Sequence, residues 1–248
     1  MPRIALITGA TSGIGKATAE LFAQKGISLI LCGRRQERLA ALQKELSVPT
    51  TTLCFDVRKL DEVTTALMSL SDDWKNIDIL VNNAGNAHGL SPIQESDTND
   101  WDAMLDSNVK GLLYVSRIVT PWMVVRQTGH IINLSSIAGK QTYANGAVYC
   151  ASKKAVEAIS EGMRLDLTQY GIKVTNIAPG AVETEFSEVR FKGDTERAKQ
   201  VYAGFDALKA NDIADIISYV VHAPEHVCIS DLTVYPKAQA SPSVLYRK

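Results

Sequence analysis

Short apolar runs alternate with longer helical patterns along the whole sequence, and this alternation restricts the fold more than any other feature. Seven runs have the length of β-strands, and most are apolar throughout: RIALIT, SLILC, TTLCF, IDILVNN, HIINLS, KVTNIAP and DLTVYP. Five segments have helical spacing: ATAELFAQKG, ERLAALQKEL, VTTALMSL, residues 101–125 and AVEAISEGMRLDLTQYG. Strands that are apolar on both sides suit a parallel sheet covered by helices. We therefore predict an α/β fold with a doubly wound, mostly parallel, seven-stranded sheet and right-handed crossovers.

Length and composition limit the class of protein. The chain has 248 residues, of which 46% are hydrophobic and 21% charged, enough for one large α/β domain or two small ones. It has no linker, repeat or low-complexity segment, which favours a single domain over residues 1–248. The formal net charge is −1 and no basic stripe is present, so we expect no nucleic-acid partner. No apolar run reaches membrane-spanning length, so we expect no membrane partner.

The four cysteines are scattered without the spacing of a metal site or a disulfide framework: Cys32, Cys54, Cys150 and Cys228. A strand-like segment begins by residue 3, which leaves no room for a signal peptide. We therefore expect a reduced, cytoplasmic protein without a bound metal. Cys150 adjoins Tyr149, but a structural cysteine is the favoured interpretation over a nucleophile.

The first strand–helix junction, ITGATSGIGKA, carries three glycines in G-x3-G-x-G spacing: Gly9, Gly13 and Gly15. Glycine allows a tight turn there and lets a phosphate group approach the backbone. The N–H groups that begin the next helix, from about Ile14 onward, and the hydroxyls of Thr11 and Ser12 can donate to that phosphate. A turn without a ligand is the alternative interpretation. The strand–loop–helix context favours the dinucleotide site of a Rossmann fold.

The second junction, LCGRRQERL, indicates which dinucleotide binds. NAD-binding proteins usually place a carboxylate here, which accepts a hydrogen bond from the ribose 2′-hydroxyl. Gly33, Arg34 and Arg35 occupy that place instead, with no acidic residue among them that would repel a phosphate. Two guanidinium groups can hold a 2′-phosphate in bidentate fashion, so we predict NADP as the cofactor. The alternative is that both arginines are solvated helix caps, but cations at a helix start face the unfavourable end of the dipole.

A proton-transfer group is predicted from the stretch VYCASKKA. Tyr149 and Lys153 are four residues apart on a helical pattern, so both side chains lie on one face. A nearby ammonium favours the phenolate, so we expect Lys153 to lower the pKa of Tyr149. Ser136, at the carboxyl end of the strand HIINLS, can donate to a substrate oxygen on which negative charge develops. The alternative, a packed core tyrosine, leaves the neighbouring polar groups unexplained.

With these residues in place, the sequence resembles the short-chain dehydrogenase/reductase family. The shared motifs cover essentially the whole chain in the family's order: TGATSGIG at 8–15, NNAG at 82–85, Asn108, Ser136, Tyr149 with Lys153, and PG at 179–180. The resemblance implies an NADP-dependent oxidoreductase in which Asn108, Ser136, Tyr149 and Lys153 form the catalytic set. It further implies that Asn108 holds a water that links Lys153 to solvent, and that Lys153 binds the nicotinamide ribose.

The resemblance also implies the remaining cofactor contacts. Asp56 and Val57 would frame the adenine, and the segment Asn83, Ala84 and Gly85 would pass under the adenine ribose. Pro179, Gly180 and Val182 would meet the nicotinamide amide through the backbone, and Thr184 would reach a phosphate oxygen. For Asn82, a purely structural role between strands is at least as well supported. The family further implies a homotetramer whose interface is formed by the 101–125 helix and the Tyr149 helix.

The substrate is expected to bind under a lid segment, residues 185–210, because loops beyond strand ends carry specificity. The strings EFSEVRFKGD and HVCISDLTVYPKAQAS resemble the family branch that oxidises serine, allo-threonine and other 3-hydroxy acids with NADP. A substrate carboxylate in a closed site favours a guanidinium partner, so we predict Arg190 as its partner, with Lys192 second. Arg190 as a surface ion-pair residue is the alternative. Two other functions stay open: a reductase of neutral ketones and a non-catalytic NADPH-binding regulator.

Overall fold

Residues 3–248 are described by a computed structural model, and nine strands lie within that range. In chain order they are β1 (Ile4–Thr8), β2 (Ser28–Gly33), β3 (Thr50–Cys54), β4 (Ile79–Asn82), β5 (Gly129–Leu134), β6 (Ile172–Pro179), β7 (Val182–Glu183), β8 (Leu208–Lys209) and β9 (Asp231–Val234). Seven of them form one sheet in the order β3-β2-β1-β4-β5-β6-β9. Every neighbouring pair in this sheet is parallel. The predicted seven-stranded sheet is confirmed.

Helices cover both faces of the sheet. They are α1 (Gly13–Gln24), α2 (Gln36–Glu45), α3 (Leu60–Met68), α4 (Thr98–Leu105), α5 (Gly111–Arg126), α6 (Ile137–Lys140), α7 (Ala147–Leu167), α8 (Phe186–Arg190), α9 (Thr195–Gln200) and α10 (Ala210–Val221). Phe22 of α1 and Ile217 of α10 pack with Ile7 in the core of one face. Val119 of α5 packs with Leu6 in the core of the other face. Adjacent residues of β1 therefore enter opposite cores, which explains why the strands are apolar without alternation.

Two features of the helices differ from the sequence prediction. The segment 101–125 was predicted as one helix, but a π-helical turn at Asp106–Lys110 joins α4 to α5. The helix α10 was not predicted, although Ile213, Ile217 and Val221 recur at helical spacing on its buried side. No helix in residues 3–248 is long and apolar enough to cross a membrane.

The order of the strands places a crevice at the middle of the sheet. From β1 the chain proceeds to β2 and β3 on one side, and it then returns to β4 on the other side of β1. In doubly wound sheets, ligands bind beyond the carboxyl ends of the strands where the order reverses in this way. The segment predicted as a lid, residues 185–210, follows β7 and includes β8. These two short strands pair with each other, so both ends of the lid are anchored side by side.

Candidate active site

A cleft of about 650 Å³ opens at the carboxyl ends of the strands. It extends from the glycine-rich loop to the lid. The predicted site residues that line it are Gly9, Thr11, Ser12, Gly13, Ile14, Arg34, Arg35, Asp56, Val57, Asn83, Ala84, Gly85, Ser136, Tyr149, Lys153, Pro179, Gly180, Val182, Thr184 and Arg190. Gly15 and Asn108, from the predicted cofactor and catalytic sets, are not among the lining residues. The fold therefore brings together residues from seven separate stretches of sequence.

The glycine-rich loop forms a backbone cradle at the start of α1. Gly9 and Gly13 have φ angles of +66° and +51°, a left-handed conformation that favours glycine. The first turn of α1 carries no acidic residue, and the side chain of Ser12 leaves the helix N–H groups uncapped. These N–H groups suit a phosphate, so the loop fits a dinucleotide. Gly15 has a different role, because a Cβ there would overlap the backbone oxygen of Gly9.

The arginine pair at the end of β2 contacts acidic residues from other parts of the chain. Arg35 donates to Thr11 Oγ1 at 2.9 Å and forms an ion pair with Glu185 of the lid at 3.0 Å. Arg34 is exposed and lies 3.8 Å from the carboxylate of Asp56. Neither acid is near the arginines in sequence, and only the folded chain brings them together. Two arginines at this edge of the cleft still fit a 2′-phosphate, but Arg35 already forms an ion pair with Glu185 of the lid.

Tyr149 lies in α7 with its phenol buried at the base of the cleft. Burial raises the pKa of Tyr149 above its ordinary value of 10, and the neighbouring Tyr143 raises it further. The Ser136 hydroxyl and the Arg190 guanidinium act in the opposite direction. The expected effect of Lys153 on this pKa stays a prediction. The phenol is therefore protonated at neutral pH, the form that can donate a proton.

Ser136 and Lys153 are positioned by the backbone around them. Ser136 begins α6, where its hydroxyl accepts a hydrogen bond from the N–H of Ala138 at 3.1 Å. The Lys153 ammonium is buried and donates to the carbonyl of Leu134, at the end of β5, at 2.9 Å. Burial lowers the pKa of Lys153 to about 8. The end of β5 and the middle of α7 thus fix the hydroxyl and the ammonium in one region.

The π-helical turn presents Asn108 to the segment that follows β4. The Asn108 amide accepts from the N–H of Asn86 and donates to its carbonyl, both at 2.8 Å, and also donates to Ser152 at 3.0 Å. A Cβ placed on Gly85 would lie 2.9 Å from Asn108 Oδ1 and 3.4 Å from Lys153 Nζ. Asn108 and Lys153 therefore meet at Gly85. The Asn108 side chain fixes this junction, and its predicted contact with a water stays a prediction.

Arg190, at the end of α8, lies over the ring of Tyr149. Its guanidinium lies 5.7 Å from the ring centres of both Tyr149 and Tyr143. It donates to the Tyr143 hydroxyl at 3.0 Å and to the carbonyl of Gly89 at 3.2 Å. Within residues 3–248 it forms no ion pair with a carboxylate. Tyr143 was missed in the sequence, since it belongs to an irregular loop without a motif.

Lys192, the second predicted partner of a substrate anion, is placed elsewhere. Its ammonium pairs with Asp100 at 3.0 Å and with Asp97 at 3.7 Å, outside the residues that line the cleft. The prediction for Lys192 is therefore wrong, because the two carboxylates near the start of α4 hold this side chain. Cys150 is buried beside Tyr149, and burial raises the pKa of its thiol, which disfavours the thiolate of a nucleophile.

Several predicted cofactor contacts also bond within the protein. The Asn83 amide donates to the carbonyl of Thr8 at 2.9 Å, which ties the end of β4 to the glycine-rich loop. The Asp56 carboxylate is held by Arg58 at 2.6 Å. Asn82 is buried and donates to Asn133 of β5 at 2.9 Å, in agreement with the structural role considered for it. These side chains shape the cleft, and their contacts with a cofactor stay predictions.

A phosphate-binding loop, a buried tyrosine with serine and lysine beside it, and a doubly wound sheet together define a dinucleotide-dependent oxidoreductase. The chain belongs to the short chain dehydrogenase family, whose model matches residues 3–195.

Proteins of known activity resemble the chain over nearly its whole length. An NADP-dependent 3-hydroxy acid dehydrogenase of Salmonella typhi is 44% identical over 238 residues, which is 96% of either chain. Sulfoacetaldehyde reductase 2 of Chromohalobacter salexigens is 43% identical over 243 residues, 97% of this chain and 96% of that protein. The closed form of a serine dehydrogenase complexed with NADP+ superposes with a TM-score of 0.93 at 43% identity, covering 99% of each chain.

Proposed function

We propose that the enzyme transfers hydride between NADP and the 3-hydroxyl group of small 3-hydroxy acids, such as serine, allo-threonine and 3-hydroxypropionate. It is an NADP-dependent oxidoreductase acting on CH–OH groups. The observation that carries the substrate class is Arg190, a guanidinium without a carboxylate partner in residues 3–248, beside the ring of Tyr149. A substrate carboxylate bound there places the hydroxyl near Ser136 and Tyr149.

NADP supplies or accepts the hydride, and the chain's own residues bind, orient and exchange a proton. In reduction, Ser136 donates a hydrogen bond to the carbonyl oxygen, where negative charge develops. The protonated Tyr149 phenol then transfers its proton to that oxygen. Lys153 is held at the end of β5 by the Leu134 carbonyl, from which its ammonium favours the phenolate that forms. In oxidation the proton moves in the reverse direction, so Tyr149 must first be deprotonated.

The position of the anion selects which hydroxyl reacts. Arg190 is held by Tyr143 and by the carbonyl of Gly89, so a bound carboxylate has a defined location. With the carboxylate fixed, only one carbon of a short substrate can reach both Ser136 and Tyr149. The proposal assigns this reacting position to C3, the carbon two bonds from the carboxylate carbon. A 2-hydroxy acid would then hold its hydroxyl out of reach.

A second candidate substrate class carries a sulfonate in place of the carboxylate. The relative from Chromohalobacter salexigens is named for the reduction of sulfoacetaldehyde, in which a sulfonate lies one carbon from the aldehyde. A guanidinium binds planar carboxylates and tetrahedral sulfonates by the same charge-assisted hydrogen bonds. Both classes therefore use the same Arg190 contact, and they differ in the room that the anion needs.

The experiment is NADP-dependent turnover of a matched substrate panel. It compares serine, allo-threonine and 3-hydroxypropionate with their 2-hydroxy isomers, with 2-hydroxyethanesulfonate and with neutral secondary alcohols. The proposal expects the highest kcat/KM among the 3-hydroxy acids. A preference for 2-hydroxyethanesulfonate would select the second candidate. Higher kcat/KM for neutral alcohols would overturn both anion assignments, and NADPH binding without any turnover would indicate a regulator.

We also propose a homotetramer in the cytoplasm. Apolar side chains remain exposed on the helices predicted to form the interface, including Leu113 and Val125 of α5 and Leu165 of α7. Exposed apolar side chains on these helices favour association of copies. Light scattering of the purified enzyme measures the mass, and a monomer would contradict the proposal. The cytoplasmic location rests on the scattered free cysteines.

A further inference from the structure

Three charged side chains meet behind the wall of the cleft, where α6, α7 and β9 come together. The ammonium of Lys140, the last residue of α6, lies 2.7 Å from the carboxylate of Asp231, which begins β9. It also lies 3.2 Å from the carboxylate of Glu157 in α7. All three residues lie outside the lining of the cleft and outside the motifs found in the sequence. One ammonium therefore joins the short helix α6 to a long helix and to the sheet.

Glu157 is the carboxylate that most needs this partner. Its side chain is 12% exposed, and a carboxylate removed from water costs free energy unless a cation or hydrogen-bond donors replace the lost hydration. A second cation, Lys154, lies farther away at 3.6 Å and is 68% exposed, so water weakens that pair. Lys140 is closer and only 29% exposed, which makes it the stronger partner of Glu157.

Glu157 also contacts the end of β5, where Ser136 follows. The hydroxyl of the preceding residue, Ser135, is buried and lies 3.3 Å from the Glu157 carboxylate and 3.1 Å from the backbone carbonyl of Lys153. A hydroxyl has one proton to donate, and both of these acceptors belong to α7. Ser135 therefore bonds to α7 whichever acceptor it uses. The charged cluster is thus one residue from Ser136 along the chain and one helical turn from Lys153.

The short helix α6 rests directly on the backbone of α7. A Cβ on Gly139 would lie 2.8 Å from the carbonyl oxygen of Lys153 and 2.8 Å from Ser135 Oγ, so only glycine fits at this contact. The four residues of α6 make about one turn, too few for a helix that is stable on its own. The contact at Gly139 and the ion pairs of the next residue, Lys140, therefore hold α6 in its place.

The place of α6 determines where the Ser136 hydroxyl lies. This hydroxyl caps the start of the helix, where it accepts a hydrogen bond from the N–H of Ala138. A shift of α6 would therefore move it relative to Tyr149, which belongs to α7. The Asp231 carboxylate opposes such a shift from the side of the sheet, because it also accepts from the buried Asn176 amide of β6 at 2.8 Å.

We propose that Lys140 is a positioning residue, which holds α6 against α7 and β9 and so fixes the Ser136 hydroxyl beside the Tyr149 phenol. Because Lys140 lies outside the cleft, it affects the rate of the reaction and not the binding of substrate or NADP. The inference rests on the catalytic roles proposed for Ser136 and Tyr149. It is independent of the substrate class, because the reacting oxygen of any substrate must meet both groups.

The test measures kcat and KM for Lys140→Met and Lys140→Arg, with the substrate of highest kcat/KM in the panel above. Methionine fills similar space without the charge. We expect kcat to fall about tenfold in Lys140→Met, with the KM for substrate and for NADP changed less than about twofold. Arginine can keep both ion pairs, so Lys140→Arg is expected to stay within about twofold of the parent.

Two further variants show which contact of the cluster matters. Asp231→Asn weakens the link to β9 and leaves Glu157 paired, so we expect kcat about threefold lower. This side chain is 42% exposed, so Asp231→Asn decides the test if Lys140→Met does not fold. The matched control is Lys154→Met, which removes a cation near Glu157 but no contact with α6, and its kcat should equal that of the parent.

Repeating Lys140→Met in a Ser136→Ala background shows whether the effect passes through Ser136. We expect a loss of less than about threefold there, since the hydroxyl that Lys140 positions is gone. A smaller folded fraction would instead lower kcat by the same factor in both backgrounds, and titration with NADPH counts the folded sites.

Equal losses in the two backgrounds would overturn the inference, as would a kcat within about twofold of the parent in both Lys140→Met and Asp231→Asn. A Ser136→Ala enzyme as active as the parent would remove the role proposed for Ser136 and this inference with it. A preference for neutral alcohols, with the tenfold loss in Lys140→Met retained, would refute the substrate class and support the role of Lys140.

Discussion

Tyr149 is the residue whose role depends most on its surroundings. Burial raises its pKa, and among the groups that oppose this the Ser136 hydroxyl acts first and the Arg190 guanidinium second. The structure therefore holds a protonated acid, and oxidation of an alcohol must first deprotonate it. Tyr149→Phe keeps the packing of the ring against Phe186, 5.8 Å away, and removes the transferable proton. We expect kcat to fall by about two to four orders of magnitude while NADPH binds as in the parent.

Steady-state kinetics and fluorescence titration with NADPH measure these two quantities for Tyr149→Phe. A kcat within about tenfold of the parent would contradict the acid–base role. Loss of NADPH binding together with activity would instead indicate a disturbed cleft.

Glu185 is a residue whose importance only the folded chain reveals. Its carboxylate pairs with Arg35 at 3.0 Å and with Arg38 at 2.8 Å, at the position proposed for the 2′-phosphate. The 2′-phosphate of NADP and the Glu185 carboxylate compete for the Arg35 guanidinium, and the two anions repel each other. Glu185 is therefore expected to weaken the binding of NADP. Glu185→Gln should lower the KM for NADP about threefold and leave that for NAD unchanged, because exposed charges interact weakly.

The matched control for this change is Glu183→Gln. Glu183 is two residues away and pairs with Lys209 on the opposite side of the lid base. Initial rates with NADP and with NAD give the four KM values. A higher KM for NADP in Glu185→Gln would mean that Glu185 orients Arg35 toward the phosphate.

At the residue scale, the sequence predicts groups that belong to motifs and misses groups that do not. The glycine loop, Ser136, Tyr149 and Lys153 follow from fixed spacings next to strands and helices. Tyr143 contacts Arg190, 47 residues away in the sequence, and Glu185 contacts Arg35, 150 residues away. A local sequence pattern cannot predict contacts between residues so far apart.

At the scale of elements, the proposed function makes α8 the link between substrate recognition and catalysis. Arg190 is its last residue and contacts Tyr143, Gly89 and the ring of Tyr149. Arg190→Leu removes the anion partner and keeps an apolar side chain in the helix. We expect kcat/KM for 3-hydroxy acids to fall about tenfold to a hundredfold, as for the loss of one or two charge-assisted hydrogen bonds. A neutral secondary alcohol should be affected less than threefold.

The ratio of the two effects is the measurement that decides the role of Arg190. A loosened lid would depress both substrates equally, because α8 covers the cleft for either one. Lys192→Leu is the control, since Lys192 lies two residues away and pairs with Asp100 outside the cleft. A similar loss of hydroxy acid activity in Lys192→Leu would assign the effect to the lid as a whole.

The seven strands could be predicted because parallel strands covered on both faces are apolar at nearly every position. The π-helical turn at Asp106–Lys110 could not, since a single turn of five residues is too short for its own period to be read from the sequence. The short helices α8 and α9 were grouped as a lid, and their contacts with residues 236–248 depend on where the end of the chain lies. The helix α10 had a readable pattern and was overlooked.

At the scale of the whole molecule, the sheet buries a histidine that constrains stability. His130 of β5 is 2% exposed, and its Nε2 lies 2.8 Å from Thr175 Oγ1 on β6. The Thr175 hydroxyl donates to the carbonyl of Ile229, so it accepts from His130, which is therefore the neutral Nε2–H tautomer. Burial lowers the pKa of His130 to about 3, and the nearby cations Lys173 and Arg3 contribute.

A depressed histidine pKa makes the fold sensitive to acid. Between about pH 6.5 and pH 3, the unfolded chain binds a proton at His130 and the native protein does not. The free energy of unfolding therefore decreases as pH falls, with a contribution approaching 1.4 kcal/mol per pH unit from this group.

His130→Gln preserves one hydrogen-bond donor and removes the titration, so the free energy of unfolding of this variant should depend less steeply on pH. Urea unfolding of both proteins at pH 7.0, 6.0 and 5.0 gives the two slopes. Comparing slopes rather than absolute stabilities removes any packing defect that glutamine introduces, because a defect shifts every pH equally. Parallel slopes would show that His130 gains its proton in the native protein as readily as in the unfolded chain.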